Sequence, residues 1–169
     1  MTNNQLIAPK RKHPRLKEYD YSQPGSYFVT ICTKDRKHLL GQIPIGRNDL
    51  IRSTICLSDI GKAAFDVIQN TSASYSNVTI EKFAIMPNHI HLLITIAPSS
   101  TDTDDRNSQN TSLHTIVRSF KTLVSKKVGY SLWQDSYYDH IIRNDADFQK
   151  VWDYIDINPE KWQEDKYFK

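Results

Sequence analysis

The residues with the most chemical potential in this chain lie in the run Asn88-His89-Ile90-His91-Leu92-Leu93-Ile94-Thr95-Ile96. Side chains alternate across a strand, so Ile90, Leu92, Ile94 and Ile96 form one aliphatic face and His89 and His91 share the other. Two imidazoles at that spacing have Cα atoms roughly 6.5–7 Å apart, close enough for both rings to tilt onto one ion. Neutral imidazole binds manganese, cobalt, nickel and zinc. A His-x-His pair alone also describes satisfied or surface histidines, and a metal site needs a third ligand and a task. The last apolar periodic segment can supply both. There Phe148, Val151, Trp152 and Ile155 make a helical stripe, with Tyr154 and Asn158 four residues apart along its edge. If that stripe packs on the histidine face, the Asn158 amide oxygen completes a two-histidine, one-oxygen site and the Tyr154 hydroxyl points at whatever the metal holds. Spacing alone leaves the alternative open: Tyr154 as a core-edge residue and Asn158 as the end of a helix before Pro159.

These groups must be positioned by a small α+β scaffold. Gly25 opens a run rich in aromatic and β-branched residues, which predicts a first strand over Tyr27–Thr33. The stretch from Lys34 to Cys56 is mixed, with turns marked by Gly41, Pro44 and Gly46 and room for a short hairpin. Ile60, Ala63, Ala64, Val67 and Ile68 recur at helical spacing behind a Ser58 or Asp59 cap, predicting a helix over Ser58–Asn70. Strands over Thr79–Met86 and Asn88–Ala97 follow, joined at Met86, Pro87 and Asn88, where proline and asparagine favour a turn, and antiparallel pairing is the natural outcome. Pro98–Ser112 has no apolar residue and reads as a solvated loop. Leu113, Ile116, Val117, Phe120, Leu123 and Val124 predict a helix over Ser112–Val128. A strand over Ser136–Arg143 and a helix over Asp145–Asn158, capped by Asn144, end the series. That order is a ferredoxin-like antiparallel sheet with helices packed on it and one helix added at the C-terminal end.

A length of 169 residues suits one domain: a basic arm over 1–24 and a single catalytic domain over 25–169 that includes the polar loop 98–112. No apolar run approaches the roughly 18 residues of a membrane span, and the polar, basic N-terminus does not resemble a secretory signal, so a cytoplasmic address is expected. Cys32 and Cys56 form no CxxC pair and read as buried thiols. The net charge of +3 is modest, but its distribution is uneven. Lys10, Arg11, Lys12, Arg15 and Lys17 crowd the arm, and Arg118, Lys121, Lys126 and Lys127 share one predicted helix. Taken alone either cluster could be a solvated surface, and only the chemistry of neighbouring residues can tip it toward phosphate binding.

The segment Met86-Pro87-Asn88-His89-Ile90-His91-Leu92 resembles the HUH motif of the single-tyrosine transposases. Other stretches agree in order: Arg15 through Thr33 resembles the family opening, and Leu132–Arg143 followed by Tyr154-Ile155-Asp156-Ile157-Asn158-Pro159 is similar to its C-terminal half, closest to the repeat-associated tyrosine transposases. The resemblance implies that Tyr154 is the nucleophile, His89 and His91 are metal ligands, and Asn158 is the third ligand. Insertion-sequence members carry glutamine four residues after the tyrosine, whereas asparagine matches the repeat-associated branch. It further implies a Mg2+ or Mn2+ cofactor, single-stranded or hairpin DNA as partner, and a metal-dependent endonuclease and strand transferase working through a 5′-phosphotyrosine. Asp139 and His140 are candidates for a supporting base. The repeat-associated branch favours a monomer and the insertion-sequence branch a dimer. Two other readings share these residues: a non-catalytic single-stranded nucleic-acid-binding module on the same fold, and a hydrolase in which water attacks and Tyr154 orients it.

Overall fold

The computed structural model describes residues 19–44, 55–98 and 111–168. Arg11, Lys12, Arg15 and Lys17 of the basic arm, and most of the polar loop, lie outside the described residues. In chain order the elements are β1 (Gly25–Cys32), β2 (Gly41–Gln42), β3 (Cys56–Leu57), α1 (Asp59–Ser74), β4 (Val78–Met86), β5 (His89–Ile96), α2 (Leu113–Val128), β6 (Tyr138–Ile142) and α3 (Asp145–Ile157). β4, β5, β1 and β6 form, in that order, an antiparallel four-stranded sheet, and β2 pairs with β3 apart from it. β1 and β4 are joined through α1 with β5 between them, and α2 joins β5 to β6. This is the split arrangement expected for a ferredoxin-like α+β fold.

The alternation of β5 organises the layers. Ile90, Leu92, Ile94 and Ile96 pack with Tyr27, Val29 and Ile31 of β1 against Ala64, Val67 and Ile68 of α1 and against Ile116, Val117, Phe120 and Val124 of α2. On the opposite face Leu93, with Ala84 and Met86 of β4, meets Val151 and Ile155 of α3 and Trp162 beyond it. The central strand is therefore covered on both sides, and α3 packs on the histidine face.

Capping chemistry sets the helix starts. Ser58 Oγ accepts from Gly61 N, Ser112 Oγ from Thr115 N, and Asn144 Oδ1 from Asp147 N. α1 runs four residues past the expected Asn70, with Thr71 buried on its inner face and the hydroxyls of Thr71 and Ser74 satisfied by the Val67 and Asn70 carbonyls. α2 stops at Gly129, whose φ of +85° turns the chain out of the helix. β6 starts at Tyr138, not Ser136, because the carbonyls of Gln134, Asp135 and Ser136 accept from the Lys121 ammonium. Cys32 is buried as expected but Cys56, on the small hairpin, is exposed. No described helix is long and apolar enough to cross a membrane.

Gly61 marks the tightest junction. Ser58 N donates to the Leu40 carbonyl and its hydroxyl to that of Leu39, which draws the first turn of α1 onto the chain ahead of β2. A Cβ at Gly61 would lie 1.9 Å from the Leu40 carbonyl oxygen. Gly61→Ala should therefore destabilise the fold by about 1–3 kcal/mol, the usual overpacking range, read as a lowered urea midpoint, whereas the exposed neighbour substitution Lys62→Ala should leave the midpoint unchanged.

Candidate active site

His89 and His91 are fully buried beneath α3 and the segment that follows it. Their Nε2 atoms are 3.0 Å apart. His89 Nδ1 lies 2.8 Å from Asn88 Oδ1, and the same amide donates from Nδ2 to the carbonyls of Tyr167 at 2.8 Å and Arg36 at 3.2 Å. An amide so pinned offers His89 only its oxygen, which can only accept, so the proton of neutral His89 sits on Nδ1 and Nε2 carries a lone pair. His91 Nδ1 lies 2.8 Å from Thr30 Oγ1. When that hydroxyl accepts, the lone pairs of both Nε2 atoms face one point. Burial holds both imidazoles below the ordinary histidine range, His91 to about 3 and His89 also under the influence of His91.

α3 brings Tyr154 to this pair. Its ring lies 5.3 Å from that of His91 and 5.7 Å from that of Phe28. Asn158 caps the helix end and is buried; its Nδ2 donates to Asp165 Oδ2 at 2.9 Å, while its Oδ1 is buried without a hydrogen-bond partner. The Tyr154 hydroxyl is 3.5 Å from the same Asp165 oxygen. Burial, then the Asp165 charge, push the Tyr154 phenol above its ordinary range. Ligand atoms of His89, His91 and Asp165 lie within 4.8 Å of one another, a two-histidine, one-carboxylate cluster suited to a cation. Tyr167 closes the site, its ring 4.6 Å from that of His89. Sequence reasoning missed Asp165 and Tyr167, which lie in a tail with no periodicity, and Thr30, which reads as an ordinary strand residue. It read Asn88 as a turn residue only.

The other candidates lie elsewhere. Asp139 pairs in register with Val29, points to the α1–α2 face, and accepts from the Tyr21 hydroxyl at 2.7 Å, so the sheet separates it from the histidines. His140 is on the histidine face, opposite Phe28, but its Nε2 is held by the Asp147 carboxylate at 2.9–3.0 Å. Arg118, Lys121, Lys126 and Lys127 are on α2, across the sheet from the histidine pair.

The profile of the family described as "Transposase IS200 like" matches residues 24–158. The chain belongs to this IS200-like transposase family. A Haemophilus influenzae protein of unassigned function is 31% identical over 175 residues, covering 94% of this chain and 93% of its own length. A second Haemophilus influenzae protein, provisionally named a REP-associated tyrosine transposase, is 27% identical over 147 residues, covering 84% of this chain and 74% of its own. The solved structure of a REP-associated tyrosine transposase bound to a REP hairpin superposes with a TM-score of 0.58 at 23% identity, covering 87% of this chain and 74% of that one. The transposase fold is thus shared well beyond the level of close sequence likeness.

The depressed histidine pKa values make a stability prediction. The unfolded chain takes up protons on these imidazoles near pH 6.5, whereas the folded chain refuses them until far lower, near pH 3 for His91. The stabilisation is therefore complete above about pH 6.5 and is lost progressively as pH falls below it. In EDTA, the urea midpoint should drop more between pH 7 and pH 4.5 for the wild type than for His89→Gln/His91→Gln; parallel pH profiles would show that the imidazoles are not buried as neutral groups.

Proposed function

We propose that this IS200-like transposase is a metal-dependent nuclease and strand transferase that cuts single-stranded DNA beside a hairpin, with Tyr154 as the nucleophile. One observation carries the reading: the only described tyrosine four residues ahead of a buried asparagine converges with it on Asp165, beside two buried imidazoles whose Nε2 atoms are 3.0 Å apart.

The residues fit a divalent cation. Two ligand nitrogens at right angles around an ion about 2.1 Å away are separated by about 3 Å, which agrees with the spacing of the two Nε2 atoms. The orphaned Asn158 Oδ1 is an acceptor whose burial costs about 1–3 kcal/mol until a donor or cation meets it. His89 and His91 would hold the ion with Asp165 or Asn158 as the oxygen donor, and of the two ions the family resemblance implies, this mixed set of nitrogen and oxygen donors suits Mn2+ better than the harder, oxygen-preferring Mg2+. Such an ion supplies Lewis-acid stabilisation of charge on the departing 3′ oxygen.

Tyr154 performs the covalent step. Its oxygen attacks the phosphorus in line, the bond to the 3′ oxygen breaks, the phenolic proton leaves and the 3′ oxygen gains one. The products are a 5′-phosphotyrosine and a 3′-hydroxyl, and attack by another 3′-hydroxyl reverses the step and joins strands without ATP. In the arrangement described, burial and the Asp165 charge hold the phenol above its ordinary range, so a base must take its proton for attack to occur. Both imidazoles lie beneath Asp165 and Tyr167, so the reading requires residues 165–168 to give way as DNA enters. The hairpin bound in the solved relative supports a hairpin-containing substrate.

Hairpin oligonucleotides with unpaired flanks, incubated with Mn2+ and resolved on denaturing gels, test it. The wild type should give a covalent protein–DNA band, and Tyr154→Phe and His89→Ala should each reduce it at least 100-fold while DNA binding persists. Binding with no band for any hairpin would favour a non-catalytic binding module; cleavage without a band, surviving Tyr154→Phe, would favour attack by water.

A further inference from the structure

The four basic residues of α2 are not equivalent. The Lys121 ammonium donates to the carbonyls of Gln134, Asp135 and Ser136 at 2.7, 3.1 and 3.1 Å, which commits it to holding that segment. Lys127 pairs with Asp66 of α1 at 3.4 Å. Arg118 and Lys126, eight residues apart and about 12 Å apart along the axis of α2, line together with the stem of Lys121 a groove of about 690 Å³ between α2 and residues 129–137. Asp135 is the single acid among its described lining residues, and Tyr130, half exposed, stands at its rim.

The far wall of this groove leads to the histidines. Gln134 N donates to the Cys32 carbonyl and Lys34 N to that of Leu132, which lays the segment along the end of β1, where Cys32 is paired with His89. The chain then enters β6 at Tyr138, an exposed ring on the histidine face 6.1 Å from that of Tyr167. A basic groove, an exposed aromatic at its exit and the buried imidazoles are thus joined by one short segment.

We infer that this groove seats one sugar–phosphate strand of a DNA hairpin stem. Arg118 and Lys126 meet two separate phosphates, Tyr130 lies against the sugar edge, and the unpaired flank leaves past Tyr138 towards His89 and His91. The inference rests on the DNA-processing reading above and adds to it where the stem is held. Contacts of this kind read backbone, not base, and their signature is salt dependence: log K falls with log salt by about 0.9 per phosphate neutralised.

Fluorescence anisotropy of a labelled hairpin with an unpaired flank, at 50–200 mM salt, tests it. Arg118→Ala/Lys126→Ala should flatten the salt slope by about 1.8 and weaken binding at least tenfold, yet leave binding to the flank sequence alone unchanged. Lys62→Ala/Lys150→Ala removes the same charge from exposed lysines that do not line the groove, and should leave the slope as in the wild type. Equal slopes in the two double variants, or an equal loss on hairpin and bare flank, would overturn the inference. The covalent band is scored separately: its absence in the wild type counts against the catalytic reading, whereas the slopes decide the groove.

Discussion

Everything at the centre of this molecule depends on where the proton of His89 sits. Buried imidazoles are neutral, and each neutral ring has one donor and one acceptor nitrogen. The Asn88 amide is fixed by the carbonyls of Arg36 and Tyr167, so its oxygen takes the His89 Nδ1 proton and the Nε2 lone pair is turned towards His91. That second-sphere contact is the kind that orients a metal-binding histidine and selects its tautomer. It also explains a sterically strict neighbourhood. Thr33 donates to the Asn88 carbonyl, and the backbone amide of Thr33 donates there too, so the turn between β4 and β5 is locked to the end of β1.

The layers follow from the same strand. β5 carries aliphatic side chains to α1 and α2, and the face that carries the imidazoles has Leu93, Ala84 and Met86 as its apolar surround. α3 covers that surround with Val151 and Ile155, which leaves the edge of its stripe, Tyr154 and Asn158, over the histidines. Trp162 anchors the chain beyond α3 in the same cluster, and the next turn delivers Asp165 and Tyr167 to the site. A helix added after the ferredoxin-like core is therefore the part of the fold that turns a pair of neutral histidines into a site holding a phenol, an amide and a carboxylate.

Much of this was legible because strand and helix periodicities are strong in this chain. The division of β5 into an aliphatic and a histidine face followed from a period of two, and the packing edge of α3 from i, i+4 spacing. The caps at Ser58 and Asn144 were legible from residue type, whereas Ser112, placed inside the second helix by sequence, is its cap. Asp165 was not, because the tail carries no pattern and its position depends on how Trp162 is buried. Asp139 and His140 could not be sorted by identity alone; adjacent strand residues point to opposite faces, and the register with β1 decides which reaches the site. The basic residues of α2 divide by partner, through Asp66 and three backbone carbonyls, none of which a linear charge count reveals.

Whether His89 and His91 form a cation site is decided by Mn2+ titration followed by electron paramagnetic resonance. One Mn2+ should bind per chain, with nitrogen hyperfine couplings from imidazole that disappear in His91→Ala. Binding of the same strength without nitrogen coupling, or binding unchanged in His91→Ala, would contradict a cation site there.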